Sequence, residues 1–149
     1  MLTRYFALVI GITYVLAGLA GFIPALGSER TTPDLIVDAQ YRNVLGLFPA
    51  NILHHLVHLA IGILGILAYR SYANARNYSR GLAVVYAVLA VMGLIEAGNL
   101  NTTFDLIPLF GNDIWLHALT ALAAAYFGFM APRATDAPVP GGTRAGGAY

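Results

Sequence analysis

The sequence predicts an all-α fold: a four-helix transmembrane bundle built from two helical hairpins in parallel repeat, with both termini cytoplasmic. Three observations carry that prediction. The composition is too poor in charge for a water-solvated globule, four apolar stretches approach membrane-spanning length, and the second half of the chain echoes the first. Of 149 residues, 58% are hydrophobic and only 10% charged. Soluble domains carry about 25% charged residues, so lipid must be the main solvent. A net charge of +1 supplies no basic patch to neutralise phosphates, which argues against nucleic acid as a partner. The absence of cysteine excludes disulfides, thiolate metal sites and c-type haem attachment.

The apolar stretches run over about 5–26, 51–69, 80–98 and 113–130. A helix needs about 20 residues to cross a hydrocarbon core of about 30 Å. Only helices or closed barrels cross lipid without stranding backbone groups, and none of these runs alternates polar with apolar. The first resembles a signal peptide in having Arg4 before it and "ALGS" (Ala25 to Ser28) after it. Its apolar run nevertheless exceeds the roughly 7–15 residues of a signal h-region, and the repeat also keeps it in the mature chain.

In the first connection, Thr32-Pro33-Asp34 has the makings of a helix start: hydroxyl cap, proline at the first position, early acid. "DLIVDAQYRNVLGLF" is then a short interfacial helix with Leu35, Ile36, Tyr41 and Leu45 dipping into lipid, or an irregular lid. Helix 2 starts at Pro49 or Asn51, and helix 4 at Asn112 or Asp113. Trp115 and Tyr41 read as interface anchors. Small residues suit close helix approach in lipid: Ala7/Gly11 and Ala17/Gly21 in helix 1, and Ala121, Ala124 and Ala125 in helix 4. The transmembrane domain spans 1–131, and the Pro-, Gly- and Ala-rich 132–149 is a disordered cytoplasmic tail.

Orientation follows the arginines. Arg4 precedes helix 1, Arg70, Arg76 and Arg80 fill the second connection, and Arg133 follows helix 4. The third connection has Asp105 and Asp113 and no basic residue, and the first balances Glu29, Asp34 and Asp38 against Arg30 and Arg42. The termini and middle loop are therefore assigned to the cytoplasm.

"TTPDLI" (Thr31 to Ile36) recurs as "TTFDLI" (Thr102 to Ile107), Tyr14 and Gly21 recur as Tyr86 and Gly93, and "LFPANILHH" from Leu47 recurs as "LFGNDIWLH" from Leu109. The second half lacks a counterpart of "VDAQYRNVLG". Two helices per unit insert the same way round, related by a pseudo-two-fold axis along the membrane normal.

The "LFPxNxLHxxVH" pattern opening helix 2 and the "DIWLH" opening helix 4 resemble a family of small, four-helix bacterial integral membrane proteins known mainly as a domain of unknown function. The resemblance covers roughly Arg4 to Ala131 and singles out Asn51, His54, His58 and His117, with His55 variable. It implies a multi-pass protein of the bacterial plasma membrane, and no activity.

His54 and His58 share one face of helix 2, whereas His55 points about 100° away and is expected to face headgroups or a loop. Asp113 and His117 have the same spacing on helix 4. If helices 2 and 4 face each other, His54, His58 and His117 converge, with Glu96 near enough to join. An ionisable residue inside a membrane span is a functional hypothesis by default, and imidazole suits Zn, Cu, Fe and haem. Three readings stand open. One is a transition-metal site of His54, His58 and His117 with Asp113 or Glu96. Another is haem b held by histidines of helices 2 and 4, with Gly62 and Gly65 making room. The third is a hydrogen-bonded network locking the halves together.

No P-loop, dinucleotide fingerprint or nucleophile elbow is present, which leans the reading away from an enzyme. The expected function is an accessory or structural membrane protein. The alternatives are a metal- or haem-binding redox protein and, as an oligomer, proton or small-solute handling. The expected partners are the bilayer and a homo-oligomer or larger membrane complex.

Overall fold

The computed structural model describes residues 1–29 and 33–132; the predicted tail beyond Pro132 lies outside the described residues. The chain is mainly helical, in the order α1 (Leu2–Gly21), β1 (Gly27–Ser28), β2 (Arg42–Val44), β3 (Phe48–Ala50), α2 (Ile52–Ala68), α3 (Tyr72–Gly93) and α4 (Asn112–Ala125). A π-helical turn, Tyr126–Met130, prolongs α4. Helix α1 packs mainly on α2 and α3 mainly on α4, while α3 also touches α1 and α2.

Two expectations need correction. The fold is not purely α, because the first connection folds into a three-stranded antiparallel sheet in the order β1-β2-β3. Gly27 pairs with Val44, and Val44 with Phe48. No interfacial helix forms there. Leu35 and Tyr41 are buried rather than dipping outward, whereas Ile36 and Leu45 are exposed. The third helix starts eight residues before the apolar stretch, at Tyr72, where the Ser71 hydroxyl accepts the Asn74 N–H (3.1 Å). It ends at Gly93, so 94–98 is not helix.

Helix α1 and the continuous Asn112–Met130 stretch are each long and apolar enough to cross a membrane. Helix α2 is apolar but has 17 residues, and α3 carries Arg76 and Arg80 in its first turns.

The inward faces repeat. Thr3, Ala7, Gly11, Tyr14, Gly18 and Gly21 are buried on α1. Ala75, Ser79, Ala83, Tyr86, Ala90 and Gly93 are buried on α3 at the same mutual spacing. On the second helices, Asn51, His55 and Gly62 match Asp113, His117 and Ala124. Beyond them, Gly65 and Ala68 match Gly128 and Ala131 only if the second pair holds one extra residue. That residue falls in the π-helical turn, where the Ala131 N–H reaches the Tyr126 carbonyl (2.8 Å). An i→i+5 turn takes up one more residue than an α-turn and so restores the inward face.

Arginines close the opposite end of each pair. Arg4 Nε donates to the Tyr69 carbonyl at the end of α2 (2.7 Å). Arg76, at the matching position of α3, donates from Nε to the Gly128 carbonyl (3.0 Å), which Arg80 Nε also reaches (2.9 Å). The last carbonyls of a helix have no intrahelical partner and carry its negative end, so guanidinium donors stabilise them.

The α1–α2 contact is backbone to backbone. A Cβ at Gly62 would lie 2.6 Å from the Val15 nitrogen and 2.7 Å from the Gly11 carbonyl oxygen. Of the small pairs read from sequence, Ala7, Gly11 and Gly21 face inward but Ala17 is exposed, and Gly18 takes that role. Gly62→Ala should therefore destabilise the detergent-solubilised protein by about 1–3 kcal/mol through overpacking. Gly81→Ala, where a Cβ meets nothing within 4 Å, should stabilise it by about 0.5–1 kcal/mol through helix propensity. Thermal melting of the two variants checks both signs.

Candidate functional site

The site is built around the start of α2. Asn51, 0% exposed, has extended backbone and caps the helix, its Oδ1 accepting the His54 N–H (3.1 Å). Its Nδ2 donates to the carbonyls of Val37 (2.7 Å) and Leu106 (2.6 Å). One side chain thus joins the helix start to both outer connections, which also meet directly through the Ile36 N–H and the Asp105 carbonyl (2.9 Å).

The cap fixes the phase of the helix, and with it the histidines. The His54 and His58 rings lie one turn apart with centroids 4.4 Å apart, and His117 of α4 approaches His54 at 6.2 Å. One ring nitrogen from each of His54, His58 and His117 lies within 4.8 Å of the other two. Tyr14 and Tyr86 form the wall beneath them. Tyr14 meets His58 edge-on (4.9 Å), Tyr86 meets His117 (5.0 Å), and the two tyrosines meet each other (5.5 Å). The Tyr14 hydroxyl also pairs with Thr120 Oγ1 (3.2 Å). Sequence reasoning used these tyrosines only as repeat markers. Their recurrence at matching inward positions was the available signal that they line a shared centre.

Asp113, in the first turn of α4, is 1% exposed. Its Oδ2 lies 3.7 Å from His54 Nδ1, too far for a hydrogen bond. Among the described residues, Asp113 Oδ2, His54 Nδ1 and His117 Nδ1 are all buried with no hydrogen-bond partner. Leaving such a group unpaired typically costs about 1–3 kcal/mol, and most buried polar atoms find partners. Three orphans around one point are the chemical signature of a ligand site.

The other expected members fall elsewhere. Glu96 is exposed in the turn after α3 and does not join the cluster. His55 faces neither headgroups nor solvent. It is 1% exposed, stacks edge-on against Phe22 (5.4 Å), and fills the space that a Cβ at Gly21 would need. The absence of a side chain at Gly21 lets the ring turn inward. Gly62 and Gly65 do not make room for a macrocycle, because both press against α1. Trp115 is exposed, as expected of an anchor, but Tyr41 is buried.

Two cavities flank the histidines. One of about 220 Å³ is lined by His54, His58, His117, Tyr86, Val85 and Leu109 among others. The other, about 130 Å³, reaches His54, His58, Asp113, His55, Phe48 and Ala17. Both fall below the roughly 300 Å³ at which small-molecule pockets begin. They suit water or a small ligand, and haem does not fit.

Fold and site define a mainly helical protein with a buried histidine and carboxylate cluster at one end of its helices. The chain belongs to the family described as a domain of unknown function, DUF4383, which matches residues 4–130. No curated protein and no solved structure matches it.

Asn51→Ala should remove the cap, worth about 1 kcal/mol, and strand two carbonyls at a further cost of about 1–3 kcal/mol. A total near 2–3 kcal/mol is expected in chemical denaturation in detergent. Asn51→Asp keeps the cap but turns acceptors toward the Val37 and Leu106 carbonyls, so it should not rescue stability.

Proposed function

We propose that the protein is a multi-pass integral membrane protein of a bacterial plasma membrane, with four crossing helices and an accessory or structural role. The observation that carries this reading is its inverted polarity. Val9 and Leu16 on α1, Leu64 on α2, Val88 on α3 and Leu119 and Leu122 on α4 are all more than half exposed. Thr3, Ser79, Thr120, Asp113 and the histidines are turned inward. In water that arrangement would expose apolar surface from every helix; in lipid each side chain is matched to its surroundings.

Length supports four crossings unevenly. Helices α1 and α4 qualify outright. Helix α2, with 17 residues, is at the lower end of the roughly 17–25 residues that suffice. The polar first turns of α3 are accommodated because Arg76 and Arg80 reach the chain end of α4, as long basic side chains do near an interface. Arg4, Arg70, Arg76 and Arg80 gather at the end opposite the histidines, which assigns that end to the cytoplasm. Two parallel-repeat hairpins explain the matched burial of α1 with α3, and the meeting of Tyr14 with its counterpart Tyr86 places both beside a pseudo-two-fold axis.

The accessory role rests on Asn51, whose polar atoms are all spent on holding segments together. The partners are the bilayer and a second copy or a larger membrane complex.

Labelling of single cysteines in the otherwise Cys-free chain tests the disposition. In intact cells, Ser28→Cys should react with an impermeant maleimide from outside, and Ala73→Cys only after permeabilisation. The protein should stay in the membrane fraction after an alkaline carbonate wash. External labelling at position 73 would reverse the orientation, and extraction by carbonate would overturn the membrane reading.

A further inference from the structure

We propose that His54, His58 and His117 hold one divalent first-row transition-metal ion of the Zn²⁺ class, with Asp113 behind His54 and a fourth coordination position open to the adjoining cavity. The inference goes beyond the membrane reading and does not depend on it.

Two independent observations carry it. The first is convergence: three imidazoles from two helices place ligand nitrogens within 4.8 Å of one another. Zn–N bonds of about 2.0–2.1 Å put tetrahedral ligand atoms about 3.3–3.4 Å apart, so small ring rotations close the set. The second is the orphaned atoms, two of them on the converging rings and the third on the carboxylate beside them. A hydrogen-bonded network that merely locked the helices would have satisfied these groups from within the protein. A cation satisfies them from outside it.

The donor set narrows the ion. Imidazole nitrogens with a nearby carboxylate and no thiolate suit Zn²⁺, Cu²⁺, Ni²⁺ or Fe²⁺ rather than Mg²⁺ or Ca²⁺, which take oxygen ligands. Asp113 lies outside the converging triad but 3.7 Å from His54 Nδ1. There it stands as the carboxylate that orients a ligating ring through its far nitrogen, and it offsets one of the two charges brought into apolar surroundings. The repeat provides an internal comparison. Asn51 occupies the matching position on α2, and its amide is bonded on both polar atoms, whereas the Asp113 carboxylate keeps a bare oxygen.

Three protein ligands define an open site rather than a closed structural one. The open position faces the cavity of about 220 Å³ that His54, His58 and His117 help to line. Water or a small molecule of a few heavy atoms is the class of fourth ligand it admits.

Metal-stripped full-length protein in detergent should be titrated with Zn²⁺ and followed by equilibrium dialysis and thermal melting. One ion per chain is expected, with a melting temperature that rises with free Zn²⁺. His58→Gln and His117→Gln should each weaken binding at least about 100-fold, since each removes a ligand. Asp113→Asn should weaken it about 10–100-fold, and Glu96→Ala should leave it unchanged. Should the histidine variants fail to fold, the wild-type chain answers alone: Zn²⁺ should protect His54, His58 and His117 from diethyl pyrocarbonate, read residue by residue by mass spectrometry. Absence of binding by folded protein at millimolar Zn²⁺, undiminished binding by a folded His58→Gln/His117→Gln chain, or no protection of these rings would overturn the proposal. A reversed or failed cysteine-labelling result would leave these measurements untouched, so the two readings fail separately.

Discussion

The amide of Asn51 is the constraint on which the rest of this end of the molecule depends. It is fully buried, and its polar atoms serve three segments at once: the first turn of α2, the first outer connection at Val37 and the second at Leu106. In a poorly polarisable interior each of these bonds is strong, and each partner would be costly to leave alone. By capping α2 it sets where the helix begins, and the start of a helix sets the direction of every later side chain. His54 and His58 point at α4 because of it. By gripping Leu106 it also holds the segment that leads, through the buried Pro108 and Leu109, into α4 itself. The distance between His54 and His117 is therefore governed less by helix packing than by this one side chain.

The two helix pairs share an ancestral plan and then part from it at the functional end. Their inward small residues and tyrosines coincide, and their arginines make the same kind of bond to the carbonyl end of the partner helix. The extra residue in the second pair is absorbed in a π-helical turn next to those arginines, which lets the inward face resume at Gly128. The divergence lies at the other end. Where α2 opens on an amide that bonds to everything around it, α4 opens on Gly111, at φ 67° and ψ −132° with no side-chain cap, a backbone geometry that a Cβ would strain. Asp113, two residues on, benefits from the positive end of the helix but turns an oxygen toward the histidines.

How much of this was legible in the sequence depended on which interactions are local. Hydropathy located all four helices, because outward Leu, Val and Ile dominate each of them. It misplaced α3, since an apolar window cannot see polar turns such as Tyr72 to Arg80 that are fixed by a Ser71 cap and by Arg76 bonding to the far end of α4. The sheet was invisible for a similar reason. Its strands are two or three residues long, and they are held by pairing across the loop rather than by any pattern within them. Helical spacing was enough to put His54 and His58 on one face and to aim that face at His117. It misjudged His55, whose burial depends on a missing side chain at Gly21 on another helix. Glu96 was placed near the cluster only because α3 was extended past its end at Gly93.

The end holding the arginines and the end holding the histidines solve the same problem in different ways. Helix termini leave backbone groups without partners, and in a thin apolar shell water is not freely available to supply them. At the basic end, long flexible guanidiniums reach across from the neighbouring helix and supply donors while their charged heads remain near the surface. At the histidine end there are no long basic side chains on the helices, and the outer connections fold over instead, their carbonyls bound by Asn51. That lid screens the histidines from solvent on one side and leaves two small cavities beside them. A cluster of imidazoles under a hydrogen-bonded lid is rigid enough to hold a fixed geometry and small enough to exclude large ligands. Both properties come from the lid rather than from the helices, which explains why the chain devotes its longest connection to that end.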